Sequence, residues 1–451
     1  PNASGWDDGG AYRRMHYQTW NSEQDHVKNI WSWFYQGALL CNKIIEQIET
    51  GVIPTPSDTE KTQGLAELRA MRAYFGDAPL VTTTAMDLPA KNTRREIFDF
   101  VENELIEVIP DLSEEVGGNY YGRMTKWAAK ALLANLYLNA QVYVNEARWN
   151  DCITQCDDII NSGKFTLAEN YKDPFRTQGV ESCKEIIFTI PYDENFATGN
   201  SIFMFSWHGE LKKKYNTIDT PWGCGSAMGV TQFIDTYNEK DSRLADTWLM
   251  GQQLAADGTP LYGTYDKMGE PLIYTKDIPS GNYTSELEGY RMNKFEVAEN
   301  SYSSSNTDIP VFRYAEIMMM KAECLLRTGK SGAGTLVTQV RQRAFKDNPE
   351  LATVTDSQLA GNTCYQYGYV EDYKIVDRGN TDPVQFGRMY DELGWEFAWE
   401  MHRRRDAIRF GIYTTKSWLS HKPEGDYRSV FPIPETVLTS NPNLEQNPNY
   451  L

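Results

Sequence analysis

Apolar residues recur with helical spacing near both ends of the 451-residue chain. Over residues 26–49 they follow one another at steps of three and four, and such a stripe predicts an amphipathic helix. The segment GVIPTPSD that follows predicts its end, because proline and glycine interrupt helices. Residues 94–109, RREIFDFVENELIEVI, show the same spacing and predict a second helix.

Two further pairs of helices are predicted along the chain. TKWAAKALLANLYLNAQVYV and RWNDCITQCDDIINSGKF together predict a helical hairpin of about 34 residues, the tetratricopeptide length, with small residues that let the two helices approach closely. VFRYAEIMMMKAECLLRTGK and GAGTLVTQVRQRAF repeat this plan. Residues 391–410, DELGWEFAWEMHRRRDAIRF, predict one long helix on which Glu400 and Arg404 can pair four residues apart.

Residues 164–310 have a different pattern. They are rich in Gly, Tyr, Thr, Asn and Asp, with short strand-like runs such as EIIFTIPY. We therefore predict a mainly α fold: a tetratricopeptide-like helical repeat scaffold with a large, irregular, loop-rich inserted lobe that contains short strands. Residues 1–163 and 311–451 are expected to form one body, with 164–310 as the lobe.

Charge and composition exclude several partners and sites. The formal net charge of −18, from 44 Lys and Arg against 62 Asp and Glu, repels nucleic acid. The seven cysteines are scattered, and the five histidines form no HExxH pattern or zinc spacing, so we expect no cofactor and no dedicated metal site. Calcium binding stays open, because irregular carboxylate sites leave no sequence signature.

Enzyme motifs are represented only by near misses. The run RTGKS would place the first glycine of a phosphate-binding loop at Cys324, inside an apolar helical run. GCGSAMG lacks the spacing of a dinucleotide loop, and the HRRR run at 402–405 is predicted to be a salt-bridged helix face. A pair of catalytic carboxylates remains open, because their separation in the fold is not visible in the sequence.

Two aromatic segments are candidates for carbohydrate binding. Flat aromatic faces stack on sugar rings, and nearby amides and carboxylates bind hydroxyl groups. Residues 207–225, WHGELKKKYNTIDTPWGCG, supply Trp207, Tyr215 and Trp222, with His208 as a hydrogen-bond donor to a hydroxyl. GWDDGGAYRRMHYQTW at 5–20 supplies a second set: Trp6, Asp8, Tyr12 and Trp20. The alternative is that these rings pack over the helices beneath them.

Several segments, in order, resemble the SusD/RagB family, the surface nutrient-binding lipoproteins of Bacteroidetes. The resemblance rests on ELRAMRAYFGDAPLV, the predicted helical hairpin, TQFIDTYNEKDSR, DIPVFRYAEIMMMKAEC, EFAWEMHRRRDAIRFG and the closing VFPIPETVLTSNPNLEQNPNY. It covers nearly the whole chain. Two features depart from the family: the helix before Phe75 is short, and the chain shows no lipid-accepting cysteine at its start.

The resemblance implies a protein without catalytic activity that binds oligosaccharide or polysaccharide. Family members cover a SusC-like TonB-dependent transporter of the outer membrane, on its extracellular face, and are held there by an N-terminal lipid anchor. Their ligand-contacting aromatics come from an N-terminal loop and from the inserted lobe. These correspond here to Trp6, Tyr12 and Trp20, and to Trp207, Tyr215 and Trp222. Capture of peptide or another nutrient, and a cryptic glycoside hydrolase, are the alternatives.

Overall fold

The computed structural model describes residues 8–74, 79–85, 88–222, 227–280 and 285–450, in which helices predominate and strands are short. This agrees with the mainly α fold predicted from the sequence. The chain divides into two compact units. The loop-rich unit comprises Pro1–Thr19, Leu167–Val311 and Ser331–Asp426, and the repeat unit comprises Trp20–Thr166, Phe312–Lys330 and Tyr427–Leu451. The lobe predicted at 164–310 thus shares a compact unit with residues 331–426.

Helices make up most of the repeat unit. Their bounds are Asp25–Glu49, Asp58–Tyr74, Arg94–Val108, Lys126–Leu138, Ala140–Val144, Trp149–Asn161, Tyr314–Arg327 and Glu435–Ser440. The helices predicted at 26–49 and 94–109 and the helical hairpin are confirmed. Thr93 begins one of them with a capping box, in which its hydroxyl accepts from the Glu96 N–H and the Glu96 carboxylate accepts from the Thr93 N–H. No helix among the described residues is long and apolar enough to cross a membrane.

Small side chains bring the helices of the hairpin together. Lys126–Leu138 packs on Trp149–Asn161, which also packs on Tyr314–Arg327. Ala128, Ala131 and Ala134 on the first helix are fully buried, as are Cys152 and Cys156 on the second. Alanine has no side-chain entropy to lose in a helix and leaves room for a close neighbour. The alanine-rich pattern therefore explains both the helix and its packing.

The loop-rich unit is built from short elements. Its helices are Ala11–Tyr17, Ile202–Ser206, Lys212–Tyr215, Thr231–Ile234, Arg243–Thr247, Ala333–Gln342, Asp356–Leu359, Gly387–Phe397 and Arg403–Arg409. Its strands are Ile186–Ile190, Trp248–Leu249, Gly251–Gln252, Ile273–Tyr274, Arg291–Met292, Gly368–Glu371, Lys374–Asp377 and Trp418–Leu419, and a further strand, Ile309–Arg313, runs into the repeat unit.

Three small sheets hold the loops of this unit in register. Trp248 pairs with Met292, and Gly251 pairs with Tyr274, each in an antiparallel two-stranded ladder. In the third sheet the strand Gly368–Glu371 is central. It pairs antiparallel with Lys374–Asp377 and parallel with Trp418–Leu419. Around the first two ladders lies a hydrophobic core that contains Phe175, Phe203, Trp207, Leu272 and Met292.

The long helix predicted at 391–410 is wrong. One helix ends at Phe397 and the next begins at Arg403, with Trp399 and Met401 in the left-handed region between them at φ 68° and 64°. The ammonium of Lys294 donates to the carbonyls of Glu396 and Ala398 at 2.9 and 3.0 Å and pairs with Glu400. A buried cation thus satisfies carbonyls that a continuing helix would have used.

Buried ion pairs support the same region of the loop-rich unit. Arg243 contacts Asp241 at 2.7 Å and Glu396 at 3.1 Å, and Arg341 contacts Glu392 at 2.7 Å. All these side chains are buried. Removing one member would leave an uncompensated buried charge, so the cluster fixes how the helix Gly387–Phe397 is seated.

Candidate functional site

Three rings form a solvent-facing group in the loop-rich unit, here called the aromatic patch: Tyr12, Phe205 and Trp222. The Phe205 ring lies 6.4 Å from Tyr12 and 5.2 Å from Trp222, centroid to centroid, and meets Trp222 edge to face at 83°. Trp222 is 53% exposed, whereas Tyr12 and Phe205 are half-buried. The edge-to-face contact supports the Trp222 ring while leaving a large part of its surface in solvent.

The local backbone fixes the position of Trp222. Its N–H donates to the Met204 carbonyl at 3.0 Å, and the Ala227 N–H donates to the Phe205 carbonyl at 3.2 Å. The Ser206 hydroxyl in turn donates to the Ala227 carbonyl at 2.8 Å. Both ends of the loop that carries Trp222 are therefore tied to the helix Ile202–Ser206, which also carries Phe205.

A second loop, at residues 300–303, is hydrogen-bonded to residues 216–219 of the loop that leads to Trp222. The Asp219 carboxylate accepts from the Ser303 N–H at 2.7 Å, and the Asn300 N–H donates to the Asn216 carbonyl at 2.9 Å. Tyr302, on this second loop, is 61% exposed. Sequence reasoning missed Tyr302, because nothing in the local pattern relates residues 300–305 to residues 216–222, and it missed Phe205, because that residue lies in an apolar run typical of a core.

The N-terminal part of the patch comes from the helix Ala11–Tyr17. Burial raises the pKa of Tyr12, and the Asp8 carboxylate raises it further. The Tyr12 hydroxyl therefore stays protonated at neutral pH and can donate a hydrogen bond. Asp8 itself is exposed, at the start of a turn. The structure thus brings together Tyr12 and Trp222, two residues from separate predicted segments, with Asp8 close enough to Tyr12 to act on its titration.

Trp207 and Tyr215 belong to the core beneath these loops. Trp207 is 1% exposed, and its Nε1 donates to the Met292 carbonyl at 2.7 Å. Tyr215 stacks on it and is half-buried. A ligand cannot reach the face of Trp207 unless this core opens, so we leave Trp207 out of the candidate site. Tyr215 contributes by covering Trp207.

His208 is also internal, and a carboxylate holds it in place. Its Nε2 lies 2.7 Å from Glu286 Oε2, and its Nδ1 accepts from the Glu210 N–H at 3.1 Å. Burial lowers the pKa of His208 despite the opposing effect of Glu286. Burial would raise the pKa of Glu286, but N–H groups of Thr264, Tyr265 and Lys267, together with His208, hold it below its ordinary value. A neutral imidazole thus donates to an ionised carboxylate.

The pair fixes loops and is out of reach of a ligand. His208 is 1% exposed and Glu286 is fully buried. His208 was predicted to donate a hydrogen bond to a sugar hydroxyl. In the structure its hydrogen-bond partner is the Glu286 carboxylate.

Two predicted site residues remain, Trp20 and Trp6. Trp20 lies in the repeat unit, 1% exposed, with its Nε1 donating to the Tyr450 hydroxyl at 3.0 Å, so it is a core residue of that unit. Trp6 lies outside the described residues. Within the described ranges, no group of three or more His, Cys, Asp or Glu side chains has the arrangement of a metal site.

Comparison with known proteins gives matches along nearly the whole chain. Residues 184–450 match a family model described as the SusD family, and residues 4–138 match one described as starch-binding and associating with the outer membrane. The starch-binding protein SusD of Bacteroides thetaiotaomicron is 26% identical over 445 residues, which cover 87% of this chain and 74% of that protein.

Solved structures agree on the fold. Surface glycan-binding protein A from Bacteroides thetaiotaomicron, in complex with laminarihexaose, matches with a TM-score of 0.72 at 18% identity and covers 99% of this chain and 90% of its own. NanU of Bacteroides fragilis matches with a TM-score of 0.71 at 20% identity and covers 100% of this chain and 90% of its own. At such identities the likeness concerns the fold alone.

Proposed function

Because the chain belongs to the SusD family, we propose that it binds oligosaccharide or polysaccharide without cleaving it. One observation carries the proposal: the Trp222 indole faces solvent and is held by an edge-to-face contact with Phe205. An aromatic face of this kind stacks on the C–H face of a sugar ring. Two of the similar proteins support a carbohydrate ligand: one is described as starch-binding, and the other is in complex with laminarihexaose.

Polar groups around the patch suit sugar hydroxyls. The Tyr12 hydroxyl donates or accepts, the exposed Asp8 carboxylate lies on the N-terminal turn, and the exposed Asn216 amide lies on the loop that leads to Trp222. Stacking on one exposed indole with a few hydrogen bonds corresponds to micromolar to millimolar dissociation constants, about 4–8 kcal/mol. Affinities in this range allow rapid release of a captured chain.

We further propose that the protein works at the outer membrane, on the extracellular face, with a SusC-like TonB-dependent transporter as its partner and a lipid anchor at its N-terminus. Support comes from the family and from the second family description, which names association with the outer membrane. Purification of the anchored protein from its own cells in mild detergent tests this. We expect a SusC-like transporter to co-purify, and recovery of the protein without any TonB-dependent transporter would contradict the partnership.

The catalytic alternative requires bond cleavage. Prolonged incubation with each polysaccharide that binds, followed by size analysis of the chains, separates binding from hydrolysis. The proposal predicts unchanged chain length. Shortening that disappears on a single Asp or Glu substitution would identify a hydrolase.

The remaining alternative is that the protein captures peptide or another nutrient in place of glycan. A glycan array and a peptide panel, probed side by side with the same protein, distinguish the two. The proposal predicts retention on glycans, and retention confined to peptides would refute it.

A further inference from the structure

The loop-rich unit contains a cavity of about 560 Å³ that the aromatic patch does not use. It is lined by residues from Ile202 to Trp418, and none of Tyr12, Phe205 or Trp222 is among them. Ligand cavities commonly have volumes of about 300–1,000 Å³ and mostly apolar walls with a few placed polar groups. This cavity has both properties.

Aromatic rings form a large part of the cavity wall. Trp248 lies 5.5 Å from Trp399 and 6.4 Å from Phe233, centroid to centroid, and Tyr365 lies 4.4 Å from Tyr367. Trp399 is in the left-handed region at φ 68°, in the segment that separates the two short helices. Strained backbone of this kind is concentrated at functional sites. This backbone conformation interrupts the helix, and the Trp399 side chain lines the cavity.

Trp399 Nε1 and the Tyr367 hydroxyl are two of the three buried polar atoms on this wall that have no hydrogen-bond partner among the described residues, and the third is Trp248 Nε1. A buried donor without an acceptor costs as much as a lost hydrogen bond, so an occupant that accepts from both would relieve that cost. The indole N–H can only donate, and this limits the occupant to a group with acceptor atoms.

A guanidinium adds positive charge to the same wall. Arg403 lies over the Tyr390 ring at 3.5 Å and over Phe233 at 5.3 Å, and it donates to the Tyr390 carbonyl at 3.0 Å. Among the described residues no carboxylate lies within ion-pair distance of Arg403, and Asp391 and Asp406 act on it only from further away. The acid that lines the cavity, Asp406, is paired with Arg409 at 2.8 Å. The wall therefore offers a cation and donors to an anionic acceptor.

These walls fit a ring with one acidic end. A free sugar would bring a hydroxyl on almost every carbon into a mostly apolar space, and most of those hydroxyls would lose their hydrogen bonds. The wall supplies Trp248, Phe233 and Tyr365 for an aromatic ring to pack on, and Trp399 Nε1, the Tyr367 hydroxyl and Arg403 as donors for a carboxylate. A neutral aromatic alcohol or ester would gain nothing from the positive charge of Arg403.

We propose that this cavity is a second binding site, for a small aromatic monocarboxylate, independent of the glycan binding proposed at the patch. The assignment rests on the cavity, the unpartnered donors and the charge of Arg403. It does not depend on the patch binding glycan, so failure of one proposal leaves the other standing.

Titration calorimetry with 3-phenylpropanoate tests the site, with the neutral 3-phenylpropan-1-ol and the methyl ester as matched ligands. We expect the carboxylate to bind the wild-type protein at least tenfold more tightly than either neutral ligand. Trp399→Phe and Tyr367→Phe, which keep an aromatic ring at each position and remove one donor each, should each weaken carboxylate binding about five- to tenfold. Trp222→Ala, which alters the patch only, should leave it unchanged.

The comparison of ligands on the wild-type protein needs no variant to fold. No detectable binding of the carboxylate at about 10 mM, a concentration roughly ten times a millimolar dissociation constant, would overturn the proposal. Equal binding of the carboxylate and the alcohol, or loss of carboxylate binding in Trp222→Ala, would also overturn it.

Discussion

The rings of Trp207 and Tyr215 stack face to face, with centroids 4.0 Å apart and planes 13° from parallel. This contact uses one face of each ring inside the protein. Trp222, seven residues after Tyr215, keeps 53% of its surface in solvent. Of the three large rings in this segment, Trp207 and Tyr215 therefore pack inside the protein and Trp222 is exposed.

Trp207→Ala is expected to lower the free energy of unfolding by about 3–5 kcal/mol, since it removes a fully buried large ring and leaves a cavity. It also strands the Met292 carbonyl, which accepts from Trp207 Nε1. Urea unfolding followed by circular dichroism measures the loss. A variant as stable as the wild type would show that the indole is not part of the core.

Glu286→Gln is expected to lower the free energy of unfolding by about 1–3 kcal/mol, because the buried carboxylate accepts from Thr264, Tyr265, Lys267 and His208. Glu270→Gln is the matched control. Its carboxylate is about half exposed and lies 3.6 Å from Lys267, so it should change stability by less than about 0.5 kcal/mol. Equal effects of the two substitutions would contradict the structural role of Glu286.

Met401→Gly is expected to stabilise the protein by about 1 kcal/mol, against the usual effect of glycine. Met401 has φ 64° and is 77% exposed, so glycine relieves left-handed strain and sacrifices little packing. Met401→Ala keeps the Cβ atom and should bring no gain. Thermal unfolding of both variants tests this, and a less stable glycine variant would mean that the backbone at this position is not strained.

Acid should destabilise the protein through two histidines. Burial lowers the pKa of His16 to about 3 and of His421 to about 4. Unfolded histidine titrates near 6.5, so between these values the unfolded state binds more protons, and stability falls as pH falls. The loss should amount to roughly 1–2 kcal/mol per histidine at pH 5.

His421→Gln removes one of these histidines. Between pH 7 and pH 5 its free energy of unfolding should fall less than that of the wild type, because His421 no longer titrates and no longer lowers the pKa of His16. Equal pH dependence of the two proteins in urea unfolding would show that His421 is protonated in the folded state.

Much of the fold could be predicted from the sequence, because the repeat unit is made of regular amphipathic helices. The spacing over 26–49 and the alanines of the hairpin depend on neighbours three and four residues away, and that information is local. The loop-rich unit depends on distant contacts. Lys294, about a hundred residues away in the chain, donates to carbonyls at the end of the helix Gly387–Phe397. Arg403, one residue of the predicted salt-bridged face, packs over the Tyr390 ring.

The candidate site was only partly predictable for the same reason. Aromatic composition identified Tyr12 and Trp222, but could not distinguish an exposed indole from a buried one such as Trp207. Phe205 was missed because it lies in an apolar run typical of a core. Its role follows only from its contacts with Tyr12 and Trp222, two rings that are more than two hundred residues apart in the chain.

The central claim is that the exposed indole of Trp222 binds glycan. Affinity electrophoresis of the wild type and of Trp222→Ala in gels containing a panel of soluble polysaccharides tests it most directly. We expect at least one polysaccharide to retard the wild type, and Trp222→Ala to bind it about 5- to 150-fold more weakly, the equivalent of ~1–3 kcal/mol, with an unchanged melting temperature. Retardation of both proteins to the same extent, or of neither by any polysaccharide, would contradict the account.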